Sequence, residues 1–86
     1  MNKKSYNLEE RTLQFAKRVR LLGRIIRPSI ANRADLYQLV KSSGSVGANY
    51  LEANNSLSKK DFLMRIKICL KEAKESGFWL RLLDLH

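Results

Sequence analysis

The sequence is poor in the side chains that carry catalysis and metal binding. It holds one cysteine, Cys69, and one histidine, the terminal His86. A lone cysteine excludes an internal disulfide and fits a reducing compartment. No histidine lies near Cys69 in sequence to activate it, and helical phase puts it on an apolar face, so it reads as a buried structural thiol. No His/Cys cluster for a metal and no Ser-His-Asp set exists. Gly44-Ser45-Val46-Gly47 lies within a helical stretch and lacks the lysine of a phosphate-binding loop. Glu72 and Glu75 sit one turn apart, and Glu52 could approach them from another helix. A di-metal bundle site also uses Glu-x-x-His pairs, which are absent, so ion pairing with Lys71, Lys74 or Arg65 is the better reading. No cofactor and no enzymatic activity are therefore expected. No apolar run approaches the ~20 residues of a membrane span. No apolar signal core follows the basic start Met1-Asn2-Lys3-Lys4-Ser5. No membrane partner is expected, and the cytoplasm is the default location.

Acidic residues are also scarce, eight against 17 Lys and Arg, for a net charge of +9. That favours an anionic partner such as nucleic acid, with plain solubility as the competing reading. The imbalance is uneven along the chain. Residues 1–28 carry +6, residues 29–57 are neutral and residues 58–86 carry +3.

The 86 residues suffice for one small domain over 1–86, with a flexible N-terminus over 1–7. At 44% hydrophobic the chain is globular, but its core is small, and oligomerisation is a common remedy. Apolar spacing predicts three helices and no strand. The first spans about 8–27, capped by Asn7 with Glu10 three residues on, and ended by Pro28. Leu8, Phe15, Val19, Leu22 and Ile26 form its stripe. The second spans about 33–53, with Asn32 as its cap and Leu36, Leu39, Val40, Ser43, Gly47, Tyr50 and Leu51 as its inner face. The third spans about 59–84. Ser58 and Asp61 have capping spacing, and Leu57 with Phe62 matches a hydrophobic staple. Its main stripe is Phe62, Ile66, Cys69, Ala73, Leu80 and Leu83. A second apolar group, Met64, Ile68, Trp79 and Leu82, would face a partner subunit. Short linkers make sequential helices antiparallel, so the expected architecture is an all-α, up-down bundle.

Two features stand out within it. Lys17, Arg20, Arg24 and Arg27 recur at steps of three, four and three, a basic ridge suited to a phosphate backbone. No pattern for reading base sequence accompanies it. The second helix carries Ser42, Ser43, Gly44, Ser45 and Gly47 in its middle, where each glycine costs about 1 kcal/mol relative to alanine. Close packing against a neighbouring helix is the expected compensation. Its polar residues Asn49 and Glu52 read as structurally committed.

The stretch Gln38-Leu39-Val40-Lys41-Ser42-Ser43-Gly44-Ser45-Val46-Gly47-Ala48-Asn49-Tyr50-Leu51-Glu52-Ala53 resembles the signature of the bacterial four helix bundle protein family, also called rRNA intervening-sequence proteins. Lys60-Asp61-Phe62, the run from Lys67 to Ser76, and Trp79-Leu80 resemble its next block, and Phe15-Ala16 and Val19 its first helix. The resemblance implies a small non-catalytic antiparallel bundle that assembles into a ring, typically a homopentamer. It further implies a fold similar to the accessory protein of diversity-generating retroelements, a basic pentameric barrel that binds a reverse transcriptase and nucleic acid. The family pattern continues into a fourth helix, whereas this sequence runs to Leu83-Asp84-Leu85-His86 after the third. Ala53-Asn54 also stands where the family has a glycine. An apolar groove along the first and third helices, calling for a partner, is the expectation that follows. A protein-interaction scaffold without a nucleic-acid role is the alternative function.

Overall fold

A computed structural model describes residues 7–84. Three helices follow in order, α1 (Leu8–Leu22), α2 (Ile30–Asn54) and α3 (Lys59–Leu82), and no strand occurs among the described residues. The expected loose segment over 1–7 lies outside the described residues, except for Asn7. Asn7 Oδ1 caps α1 by accepting from the Glu10 amide at 3.3 Å.

Four helix boundaries differ from the sequence reading, two of them only slightly, since α2 ends at Asn54 instead of Ala53 and α3 at Leu82 instead of Asp84. α1 ends at Leu22 instead of Arg27. Gly23 follows, a poor helix former, and the chain tightens into short-range turns from Gly23 to Ile26. Arg27, placed before Pro28, is disfavoured in helical conformation. α2 begins at Ile30 instead of Arg33, because Ser29 is the cap, accepting from the Asn32 amide at 2.9 Å. The start of α3 is as read, with Ser58 Oγ accepting from the Asp61 amide at 3.1 Å. The staple beside it does not form, since Leu57 is 99% exposed.

Asn32 is thereby free for another task. Its side chain is buried, and its Nδ2 donates to the carbonyls of Arg27 at 2.9 Å and Asp84 at 2.7 Å. Its Oδ1 accepts from the Asp84 amide at 2.9 Å. One side chain thus joins the α1–α2 turn, the start of α2 and the chain just past α3.

α2 is the middle helix. It packs on both α1 and α3, whereas no Cα of α1 comes within 8 Å of one in α3. The molecule measures 44 × 25 × 15 Å. A width of 25 Å suits three helices side by side at spacings of about 8–10 Å. Both pairs are antiparallel. Glu9 at the start of α1 accepts from Asn54 at the end of α2, and Asn49 meets Arg65 near the start of α3.

Each side of α2 has its own seam. Asn32, Asp35, Leu39, Ser42, Val46, Asn49 and Ala53 alternate at steps of three and four, and all are buried or half-buried. They meet a matching row on α3, namely Arg65, Cys69, Glu72, Ser76, Trp79 and Leu83. Such alternation is the spacing of an antiparallel coiled-coil seam. Its centre is a hydroxyl pair, Ser42 Oγ to Ser76 Oγ at 2.8 Å, both residues buried. The other seam, Leu36, Val40, Ser43, Gly47 and Tyr50, faces α1. A Cβ on Gly47 would lie 3.1 Å from Thr12 Oγ1, so α1 crosses where α2 has no side chain. The expected close packing of the glycine-rich segment is therefore present.

The core proper is small. Val19, Leu39 and Leu83 form it, with Phe15, Leu22, Ile26, Leu36, Val40 and Trp79 packed around them. The stripe read for the third helix is only partly inward. Ala73 is exposed, Phe62 and Leu80 are more than a third exposed, and Ser76 is the buried residue of α3. The true contact row is rotated by roughly 60° from that stripe at about 100° per residue. It is hidden because half its members are polar.

Three stability predictions follow from this packing. Asn32→Ala removes three hydrogen bonds and strands backbone groups at both ends of the clamp. A loss of roughly 2 kcal/mol is expected in urea unfolding. Gly77 has no atom within 4 Å of its would-be Cβ, so Gly77→Ala should stabilise by about 0.5–1 kcal/mol. Gly47→Leu should destabilise by at least about 1 kcal/mol, because Thr12 blocks the added side chain.

Candidate nucleic-acid interface

The four residues of the expected basic ridge do not lie on one helix. Lys17 and Arg20 are on α1, whereas Arg24 and Arg27 lie in the turn beyond it. All four are exposed, as is Arg18. Arg27 faces Asp84 across 3.9 Å, a solvent-exposed pair worth at most about 1 kcal/mol. Arg20 is held along its helix. Its Nη1 donates to the Ala16 carbonyl at 3.1 Å, and Nη2 lies 3.8 Å from where a Cβ of Gly44 would be. The guanidinium thus lies beside Gly44 at the α1–α2 boundary, at a distance a Cβ there would meet as ordinary contact.

An open groove of about 470 Å³ runs along this boundary. Leu13, Ala16, Gly44, Gly47, Ala48 and Leu51 form its floor, with Lys17 and Arg20 towards one end and Glu9 at the other. The floor is apolar because small residues on both helices leave their backbones close to the surface. Sequence reasoning missed this groove. The only signal for it was the run of small residues, whose outward members read as part of the buried seam.

Further along α2, Lys41 Nζ sits 5.6 Å from the centre of the Tyr37 ring, a cation–π distance. Tyr37 is 62% exposed. Neither residue was singled out by the sequence reading, because an aromatic among cations on a helix carries no spacing signature.

The remaining site expectations divide. Asn49 Oδ1 accepts from Arg65 Nη1 at 2.9 Å and its Nδ2 donates to the Ser45 carbonyl, so it bridges α2 and α3. Arg65 is thus engaged with Asn49, not with a glutamate. Glu52 is exposed near the α2–α3 turn. In the expected subunit interface, Met64 and Leu82 are each 49% exposed, whereas Ile68 is half-buried. Trp79 packs on the Val19–Leu39–Leu83 cluster and meets Phe78 edge-on at 5.1 Å, so it belongs to this chain's own core. That placement corrects the expectation that it faces a partner.

Cys69 is half-buried, and its Sγ donates to the Val46 carbonyl at 3.4 Å. Burial pushes its thiol pKa up, with a hydrogen bond from its own backbone opposing the shift. Among the described residues no three His, Cys, Asp or Glu gather in an arrangement that could hold a metal. No described helix is long and apolar enough to cross a membrane.

Comparison with family models, curated proteins and solved structures gives no match. The likeness to the four helix bundle family therefore rests on the quoted sequence blocks alone.

The thiol yields a direct check. At pH 8, iodoacetamide should alkylate Cys69 more slowly in the folded protein than in urea, because folding both covers it and disfavours its thiolate.

Proposed function

We propose that this chain is a non-catalytic, oligomeric helical-bundle protein that associates with RNA or DNA through the basic face of α1 and the turn that follows. The observation that carries the reading is the segregation of charge. Lys17, Arg18, Arg20, Arg24 and Arg27 are all solvent-facing, and the acids of α1, Glu9 and Glu10, sit at its far end. Such a surface neutralises phosphates and releases counterions without reading sequence. The family resemblance adds the ring assembly and a reverse transcriptase as a candidate partner.

A second observation favours self-association. Fifteen large apolar side chains are exposed among the described residues, against four buried apolar ones. A three-helix layer cannot cover both faces of its outer helices, so a partner surface supplies the missing burial. The same observation supports the scaffold reading if nucleic acid has no part.

Binding of a fluorescent oligonucleotide, measured by anisotropy across salt concentrations, tests the nucleic-acid reading. The slope of log affinity against log salt should be about −0.7 to −0.9 per phosphate contacted. Lys17→Glu combined with Arg20→Glu should flatten that slope by about 1.4 or more and weaken binding. Unchanged binding in this variant would place the interface elsewhere. Light scattering with and without RNA, at low and high salt, gives the mass of the assembly. A monomer under every condition would remove the oligomer from the proposal.

A further inference from the structure

We infer that the outer surface of the α1–α2 pair is a track for single-stranded nucleic acid, with Tyr37 stacking on a base. The inference rests on the nucleic-acid reading above and names the form of the ligand. Three contacts set how the two helices run past each other. Thr12 lies on Gly47, Arg20 on Gly44 and Gly23 on Leu36. The antiparallel register therefore brings Lys17 and Arg20 beside Gly44, and Arg24 towards the turn of α2 that holds Tyr37.

On α2 itself, Arg33, Tyr37, Lys41, Gly44 and Ala48 follow at steps of four, four, three and four, so they share one face. Arg33, Tyr37, Lys41 and Ala48 are all exposed. Five cations thus border one surface, namely Lys17, Arg20, Arg24, Arg33 and Lys41. Asp35, the acid nearest Tyr37 in sequence, belongs to the opposite seam with α3.

The aromatic ring decides between single strand and duplex. Cations alone serve either, because both present phosphates. An exposed ring gains nothing from a duplex, whose base faces are already stacked. On a single strand it takes an unstacked base, and the apolar groove of Leu13, Ala16, Ala48 and Leu51 begins about 10 Å further along α2, at Gly44, in the path of the nucleotides that follow. Lys41 Nζ lies over one face of the Tyr37 ring, so the base stacks on the other face, with that charge near enough to serve an adjoining phosphate.

The test compares a labelled twelve-nucleotide single strand with the duplex of the same sequence, by anisotropy on the full chain. The single strand should bind about tenfold more tightly at equal salt. Tyr37→Ala should weaken single-strand binding about tenfold, with the salt slope unchanged, and Tyr37→Phe should retain it. Lys41→Gln should flatten the slope by about 0.7. Tyr37 is solvent-exposed, so circular dichroism should show both variants folded. Equal affinity for the two forms, or a neutral Tyr37→Ala, overturns this inference and leaves the electrostatic reading of α1 standing. Absence of binding to either form at low salt overturns both.

Discussion

Everything in this fold depends on α2 being narrow enough to be approached from two sides. Gly47 leaves no side chain between α2 and Thr12 of α1. Ser42 and Ser76 place only hydroxyls between α2 and α3. Leu39 lies between the two seams and is completely buried. Larger residues at these positions would push the outer helices away and open the cluster of Val19, Leu39 and Leu83. The low helix propensity of the Ser42–Gly47 run is the cost of that approach, and contacts along a helix of 25 residues offset it.

A middle helix with two seams has a consequence for the surface. α1 and α3 each bury one side on α2 and leave the other side uncovered. Polar groups inside the layer are fully matched, since no buried side-chain N or O among the described residues lacks a partner. Asn32 closes one end of the layer and the Glu9–Asn54 contact the other. The interior is thus settled, while the outside carries both surplus apolar surface and unneutralised cations. Those two surfaces are where the proposed partners would act, one through burial and the other through phosphate neutralisation.

Much of the fold was legible in the sequence, for identifiable reasons. Helix number, order and direction follow from apolar spacing and short linkers, which are local properties. Asn7 and Ser58 were readable as caps because a capping residue acts on a backbone amide three positions away. Asn32 misled for the same reason. Its residue type suits a cap, but its partners are Arg27 and Asp84, the latter 52 positions distant. The inward face of α3 was misjudged because apolar spacing locates seams made of apolar residues. Arg65, Glu72 and Ser76 lie in this seam, Arg65 bonded to Asn49, Ser76 to Ser42 and to the Glu72 carbonyl, and Glu72 half-buried. The basic ridge was legible as composition but not as a single helical face, since the turn after Gly23 redirects Arg24 and Arg27.

The sequence by itself determined that this is an all-helical, strongly basic chain with a small-residue middle helix and no evident catalytic cluster. These are matters of composition and of spacing within one helix, and no neighbour is needed to decide them. Tertiary structure alone decided which side of each helix is inside. It also placed Asn32 as a clamp and brought the Arg20 guanidinium near Gly44. Each of those outcomes depends on the register between helices, and register is set where backbones touch, at Gly47 and at the Ser42–Ser76 pair.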